Sequence, residues 1–274
     1  MKNRDYFDVL NISDNQESVD MIQAIMGNKC LGTFFHNGTA KLYFNSGLRE
    51  EMNLKLEELL SAQTIKWTWE TLASEDWHLT WQDHFKPIVI NNKLAVIPHW
   101  EHDYPAKITI RIKPGMAFGT GHHETTQLIL ETLLKENIIE NNVLDLGAGS
   151  GILSIASAKL GAKNIAAVEF DPDCKTNFFE NLELNGLNGK IEFYLMDALR
   201  WNDFNYQLIL INMNRNIILT LLPGIRIPEK GKMFLTGILD EDEKVVTDSC
   251  HSNNLKVIGK QSHGRWICLT VISP

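Results

Sequence analysis

The sequence predicts an α/β protein in which a doubly wound, mostly parallel sheet follows a small α+β domain. From residue 105 onward, apolar runs such as "YQLILIN" alternate with helical segments such as "DPDCKTNFFENLELNG", and strands this apolar are buried on both faces of a sheet. In "VLDLGAGSGILSIA" a buried strand leads through a glycine-rich turn into a helix. Before residue 73, the order strand, helix, hairpin, helix, strand is typical of a ferredoxin-like domain.

The small domain is predicted over residues 1–72. Its first strand is "YFDVLNI", and the next segment, "SVDMIQAIMG", places its apolar residues on one helical face. "CLGTFFHNGTAKLYF" consists of two β-prone runs joined at Asn37-Gly38, which is a strong hairpin signal. A helix, "LREEMNLKLEELL", and a half-exposed strand, "TIKWTWETL", complete the predicted domain.

Residues 73–104 are predicted to form a tryptophan-rich structured connector, and residues 105–274 the doubly wound domain. Trp77, Trp81 and Trp100 surround a second hairpin, "KPIVINNKLAVIP". Because tryptophan is mostly buried, we interpret these residues as packing between the two domains, with an aromatic recognition surface as the alternative.

Composition narrows the class of protein. A chain of 274 residues with 44% hydrophobic content can build globular cores. It contains no apolar run long enough to cross a membrane, and "MKNRDYFDVLN" lacks the apolar block of a signal peptide, so we expect a cytosolic, cytoplasmic protein with no membrane partner. The four cysteines are scattered without CxxC spacing, which indicates reduced thiols and not a disulfide framework or a zinc site. The net charge of −8 argues against a nucleic acid partner, and no direct nucleic acid readout is expected.

The glycine turn carries the clearest chemical signal. Its pattern is DxGxGxG, and Gly147, Gly149 and Gly151 let backbone approach a ligand without a Cβ in the way. Glu169 ends the following strand, where a carboxylate can accept hydrogen bonds from a ribose diol. This combination resembles the S-adenosylmethionine-dependent methyltransferases of Rossmann-like fold. Asp197 lies where such enzymes often contact adenine, although a helix cap is its more ordinary role.

The stretch "KPGMAFGTGHHETTQ" by itself allows two other chemistries. Its paired histidines, His122 and His123, suggest a metal site, and its glycines with threonines suggest a phosphate loop. No third ligand of suitable spacing follows and HExxH is absent, so no metal is predicted. We interpret the histidines as wall and cap residues of a cofactor pocket.

A longer resemblance decides between these possibilities. "KPGMAFGTGHHETT" followed by "LDLGAGSGIL", and preceded by "WQDHFKPIVI" and "LAVIPHWE", resembles the PrmA family of ribosomal protein L-11 methyltransferases over nearly the full length. The resemblance implies a first domain that recognises the ribosomal protein and a second that binds S-adenosyl-L-methionine. It also implies methylation of lysine ε-amines of ribosomal protein L-11, with the N-terminal α-amine as a further candidate acceptor.

Carried over residue by residue, the resemblance implies that Thr126, Gly147, Glu169 and Asn212 bind the cofactor, together with Gly149 of the same turn. Asn212 is also the predicted catalytic residue. Its amide oxygen can accept a hydrogen bond from the incoming amine without stabilising the charged ammonium form as a carboxylate would.

The residues after Asn212 depart from the family pattern and keep alternatives open. The family continues with small or apolar residues, whereas this chain has Met213, Asn214 and Arg215. The alternatives are a lysine of another protein, a small amine, or a non-catalytic ribosome-binding module. The prolines and aromatic residue of adenine-amine methyltransferases are missing here, which argues against nucleic acid as the substrate. We expect a monomer.

Overall fold

A computed structural model describes residues 6–13, 30–36, 39–60, 65–73, 86–101, 104–114 and 123–274 of the chain. The chain divides into two compact units, residues 1–86 and 87–274. This division falls inside the predicted connector, residues 73–104, and the three predicted segments stay predictions. Trp77 and Trp81 lie outside the described residues. Among the described residues, no helix has the length and apolar character needed to cross a membrane.

The smaller unit contains a four-stranded antiparallel sheet in the order β2-β3-β1-β4. Its elements are β1 (Tyr6–Ser13), β2 (Cys30–His36), β3 (Thr39–Asn45), α1 (Arg49–Leu60) and β4 (Lys66–Ala73). The order, with β3 between β1 and β2, is that of a ferredoxin-like sheet. The helix predicted from "SVDMIQAIMG" lies outside the described residues.

The core of the smaller unit lies between the sheet and α1. Alternation along β1 places Leu10 and Ile12 on one face, where they join Met52 and Leu56 of α1 in a buried cluster. The indole nitrogens of the β4 tryptophans, Trp67 and Trp69, both donate to Asn53 Oδ1, at 2.9 and 3.2 Å.

The larger unit contains two sheets. The first is three-stranded, with β5 (Ile88–Ile90) antiparallel to β6 (Leu94–Pro98) and β6 parallel to β7 (Ile108–Ile112). The second has seven strands in the order β10-β9-β8-β11-β12-β14-β13. Its strands are β8 (Asn142–Leu146), β9 (Asn164–Glu169), β10 (Glu192–Leu195), β11 (Leu208–Asn212), β12 (Lys232–Leu239), β13 (Lys256–His263) and β14 (Trp266–Ile272).

Helices cover both faces of the seven-stranded sheet. They are α2 (Glu124–Leu133), α3 (Ile152–Lys159), α4 (Pro172–Leu184), α5 (Arg215–Leu221) and α6 (Glu243–Ser252). Successive residues of β8 point to opposite faces: Val143 packs in the cluster that contains α2, α3 and α4 residues, and Leu144 in the cluster that contains α5 and α6 residues.

The strands from β8 to β12 run parallel, and β14 runs antiparallel to both of its neighbours. The predicted doubly wound, mostly parallel sheet is therefore confirmed. The last two strands, β13 and β14, were not among the predicted elements.

Candidate functional site

Several of the predicted site residues meet at the carboxyl-terminal ends of three adjacent strands of the seven-stranded sheet. Leu146 of β8 pairs with Val168 of β9 and with Ile211 of β11. Gly147 follows Leu146, Glu169 follows Val168, and Asn212 follows Ile211. The carboxyl ends of parallel strands thus bring these residues together, where α/β proteins commonly bind ligands.

The glycine turn needs glycine for two reasons. Gly147, Gly149 and Gly151 have φ values of 75, 51 and 81°, in the left-handed region that disfavours other residues. In addition, a Cβ at Gly151 would lie 2.8 Å from the ring of Phe178 on α4. The backbone amide of Gly147 donates to Val168 O at 2.8 Å, which fixes the start of the turn against β9.

Glu169 orders the turn by accepting two backbone hydrogen bonds. Its Oε2 accepts from Gly149 N at 2.8 Å, and its Oε1 accepts from Asp171 N at 2.9 Å. Each carboxylate oxygen has a second lone pair, so capacity to accept further hydrogen bonds remains. The adjacent Phe170 is 71% exposed beside this carboxylate. Neither the turn-ordering role nor the exposed aromatic ring was inferred from the sequence.

Asp145, the acid of the DxGxGxG pattern, is fully buried. Its Oδ2 accepts a hydrogen bond from Ser154 Oγ at 2.6 Å, whereas Oδ1 has no partner among the described residues. Burial raises the pKa of Asp145 to about 7, against the opposing effect of the hydrogen bonds from Ser154. The sequence pattern located this acid but did not indicate its burial.

Thr126 and Asn212 lie in contact although 86 positions separate them. Thr126 is fully buried in the first turn of α2, and Asn212 Nδ2 donates to its Oγ1 at 3.4 Å. This hydrogen bond tethers one end of the Asn212 amide and leaves the carbonyl oxygen as the end able to accept a proton donor.

His123 caps the helix that carries Thr126. Its Nδ1 accepts from Thr125 N at 3.3 Å, and its ring packs edge-on against Trp266 with the centroids 4.9 Å apart. Within the part of the chain that is described, no three potential ligands cluster as a metal site would require. His122 lies outside that part, and the pocket-wall role of both histidines stays a prediction.

Asp197 has the ordinary role of a helix cap. Its Oδ1 accepts from Leu199 N at 2.9 Å, at the start of the short 3-10 helix Ala198–Arg200.

Met213 joins the glycine turn to the neighbouring strand β12. A Cβ at Gly147 would lie 2.5 Å from Met213 Cε, and a Cβ at Gly237 would lie 2.0 Å from Met213 O. Gly237 has a φ of 88° and sits where the register of β12 against β14 shifts between Thr236 and Ile238. The sequence signal for this feature was available, because a glycine inside the strand pattern "FLTGIL" is typical of a bulge.

The two remaining residues that depart from the family pattern also have structural partners. Asn214 caps α5 by accepting from Ile217 N at 3.1 Å. Arg215 Nη1 lies 2.5 Å from Asp242 Oδ1, in an ion pair in which the Asp242 side chain is only 17% exposed. The guanidinium of Arg215 is thus already paired with a carboxylate.

Comparisons with known proteins show which family the chain resembles. A sequence profile described as "Ribosomal protein L11 methyltransferase (PrmA)" matches residues 10–273. The ribosomal protein L11 methyltransferase of Trichlorobacter lovleyi is 38% identical over 208 residues, which cover 72% of this chain and 68% of the relative. That of Lactobacillus gasseri is 36% identical over 209 residues, which cover 73% of this chain and 65% of the relative.

A solved structure is similar as well. The ribosomal protein L11 methylase of Lactobacillus delbrueckii subsp. bulgaricus superimposes with a TM-score of 0.64 at 32% identity, covering 69% of this chain and 99% of that chain. The chain spans 65% of the length of the Lactobacillus gasseri relative and 68% of the Trichlorobacter lovleyi relative. With the profile matching nearly all of its residues, the chain belongs to the ribosomal protein L11 methyltransferase (PrmA) family.

Proposed function

We propose that this protein transfers methyl groups from S-adenosyl-L-methionine to lysine ε-amines of ribosomal protein L11, with the N-terminal α-amine as a further acceptor. The observation that carries the proposal is the convergence of the glycine turn, Glu169 and the Thr126–Asn212 pair at one edge of the sheet. The family to which the chain belongs supports the choice of substrate.

The residues at this edge fit the methyl donor. Gly147 and Gly149 present backbone without side chains, and Glu169 keeps acceptor capacity for a ribose diol. Thr126, Gly147, Gly149, Glu169 and Asn212 are the residues that we propose hold S-adenosyl-L-methionine. When bound, this cofactor supplies a methyl group that is activated by the positive sulfonium.

Asn212 is the residue that we propose orients the acceptor amine. Because a free lysine has a pKa near ~10.4, the amine must lose its proton before it can attack. A neutral amide oxygen at Asn212 accepts a hydrogen bond from the amine, which directs its lone pair. A carboxylate at this position would instead stabilise the unreactive ammonium ion. The hydrogen bond to Thr126 supports this assignment because it holds the amide nitrogen away from the substrate.

The charge of Arg215 does not argue against a lysine substrate. An unpaired guanidinium three residues after Asn212 in the chain would repel a cationic side chain that approached it before losing its proton. The ion pair with Asp242 compensates that charge. We therefore retain a basic ribosomal protein as the substrate and propose that the enzyme acts in the cytoplasm as a monomer, without direct nucleic acid readout.

The proposal is tested by incubating the full chain with radiolabelled S-adenosyl-L-methionine and purified ribosomal protein L11. We expect label in the ribosomal protein, and we expect Asn212→Ala to lower the turnover number by about 100-fold, the scale of a lost orienting contact. Asn142→Ala is the matched control, since this asparagine lies at the opposite end of β8 and pairs with Asn164.

Other outcomes assign other functions. If the cofactor binds and another lysate protein is labelled while ribosomal protein L11 stays unlabelled, the proposed substrate is wrong, whereas the proposed methyl transfer is correct. If calorimetry detects cofactor binding that Gly147→Asp abolishes, but no lysine substrate is methylated, the chain is a non-catalytic binding module.

A further inference from the structure

Two asparagines of α4 and the asparagine that caps its C-terminus form a ladder along the edge of β7. Asn177, Asn181 and Asn185 are four residues apart and therefore lie on one face of the helix, and we call them the asparagine ladder. Asn177 is 9% exposed and Asn181 is fully buried. Buried amides of this kind normally have well-defined partners.

The ladder hydrogen-bonds the backbone of β7 and of Lys113, which directly follows it, where a further strand would otherwise pair. Asn185 Oδ1 accepts from Arg111 N at 3.0 Å, and its Nδ2 donates to Arg111 O at 2.6 Å. One turn earlier, Asn181 Oδ1 accepts from Lys113 N at 2.7 Å, and a further turn earlier Asn177 Nδ2 donates to Lys113 O at 2.9 Å. The side chain of Lys113 adds an ion pair with Glu180 of the same helix at 2.7 Å.

Asn181, unlike Asn185, also contacts the glycine turn. Its Nδ2 donates to Ser150 O at 2.9 Å, in the glycine turn between Gly149 and Gly151. Ser150 is 1% exposed, so water cannot readily replace this donor. A single buried amide thus bridges the glycine turn and Lys113, which begins the stretch "KPGMAFGTGHHETT".

We infer that Asn181 is a positioning residue for the methyl donor, holding the glycine turn in its binding conformation against the backbone of Lys113. The inference rests on the proposed function. In this proposal the cofactor contacts the backbone of Gly147 and Gly149. Asn181 contacts the next residue of the turn, Ser150, and does not contact the ligand itself. Asn185 anchors β7 in the same way, and its hydrogen bonds within the described part of the chain go to Arg111 and to Asn181 O and not to the glycine turn, which makes it the matched control.

The test compares Asn181→Leu with Asn185→Leu in the full chain by calorimetric titration of S-adenosyl-L-methionine. Both variants lose hydrogen bonds to β7 or Lys113 and should lose thermal stability. Asn181→Leu is expected to raise the dissociation constant about tenfold or more, with kcat at saturating cofactor little changed, because a buried hydrogen bond to the binding turn is lost. Asn185→Leu is expected to change it less than about threefold.

Hydrogen exchange of the ligand-free proteins separates this inference from the proposed function. Amides of residues 147–152 should exchange faster in Asn181→Leu and not in Asn185→Leu, whether or not the wild type binds the cofactor. Equal protection of the turn in both variants, or equal loss of cofactor affinity, overturns the positioning role. Should Asn181→Leu not fold, Asn181→Asp retains the acceptor for Lys113 N, removes the donor to Ser150 O and is read out identically.

Discussion

The two sides of the proposed site are built in different ways. The glycine side consists of residues 145–151 with Glu169, and the asparagine side consists of residues 212–215 with Thr126 and Gly237. On the glycine side, Glu169 reaches Gly149 across 20 positions, within one strand–helix–strand unit. On the asparagine side, Asn212 contacts Thr126 across 86 positions, and Arg215 contacts Asp242 across 27.

The difference teaches which parts of the site tolerate change. The glycine side depends on backbone hydrogen bonds and on left-handed backbone, and only particular residue types, above all glycine, satisfy these constraints. The asparagine side depends on contacts with elements from elsewhere in the chain, so the residues after Asn212 can vary if their partners vary too. Met213 is the contact between the two sides, through Gly147 and Gly237.

The largest effect is expected for Gly237→Ala, which breaks the asparagine side. The new Cβ would lie 2.0 Å from Met213 O, and the φ of 88° is unfavourable for alanine. We expect the free energy of unfolding in urea to fall by about 4 kcal/mol or more. Gly264→Ala is the control, because its φ is also positive at 58° and nothing lies within 4 Å of its Cβ, so it should cost about 1–2 kcal/mol. Equal losses would show that backbone strain alone decides the cost.

The next effect concerns the buried acid of the glycine side. Burial raises the pKa of Asp145 from 3.8 to about 7, so the folded protein holds this proton more tightly than the unfolded chain does. The contribution of Asp145 to stability is therefore full below about pH 4 and is lost as the pH rises through about 7, by roughly 4 kcal/mol in total.

Asp145→Asn removes this titration. From pH 4 to pH 8, the wild type should lose roughly 3–4 kcal/mol of unfolding free energy relative to the variant, which has no titrating group at this position. Urea unfolding at several pH values measures it. A difference that does not vary with pH would show that Asp145 is ionised at no cost in the folded protein.

Glu169→Ala sharpens the comparison by removing the carboxylate that orders the glycine side. It should weaken S-adenosyl-L-methionine binding by about 1–3 kcal/mol. The ligand loses its hydrogen-bond acceptor, and so do the backbone amides of Gly149 and Asp171. Calorimetric titration measures the loss, with Glu192→Ala on the exposed edge strand β10 as control. Unchanged affinity would mean that the ribose binds elsewhere.

The smallest effect is expected for the ion pair of the asparagine side. The Arg215 side chain is 42% exposed, so solvent screens its interaction with Asp242. In a double-mutant cycle of Arg215→Ala and Asp242→Ala, the coupling in unfolding free energy should stay within about 1 kcal/mol. A larger coupling would make this pair a structural element of the site comparable to the glycine turn.

Much of the fold follows from local patterns. The apolar runs predict buried parallel strands, which is right for β8, β9, β11 and β12, but the prediction of burial is wrong for the edge strand β10, where Tyr194 and Leu195 are exposed. Asn37-Gly38, which lies outside the described residues, predicts the hairpin whose strands β2 and β3 pair with His36 opposite Thr39. The carboxyl-end placement of Gly147, Glu169 and Asn212 follows once the strands are parallel. The roles of Asp145 and Met213 do not follow, because burial and packing depend on residues far away in the chain.

By itself, the sequence determined the residue types that the site requires: glycines where only they can adopt the backbone, a carboxylate at a strand end, and an asparagine at another. These are local constraints, set by φ angles and by side-chain chemistry. Tertiary structure alone decided which groups share hydrogen bonds, including Thr126 with Asn212, Arg215 with Asp242, and Asn181 with both Lys113 and Ser150. The reason is physical, since each of these contacts forms only when separately specified strands and helices pack against one another.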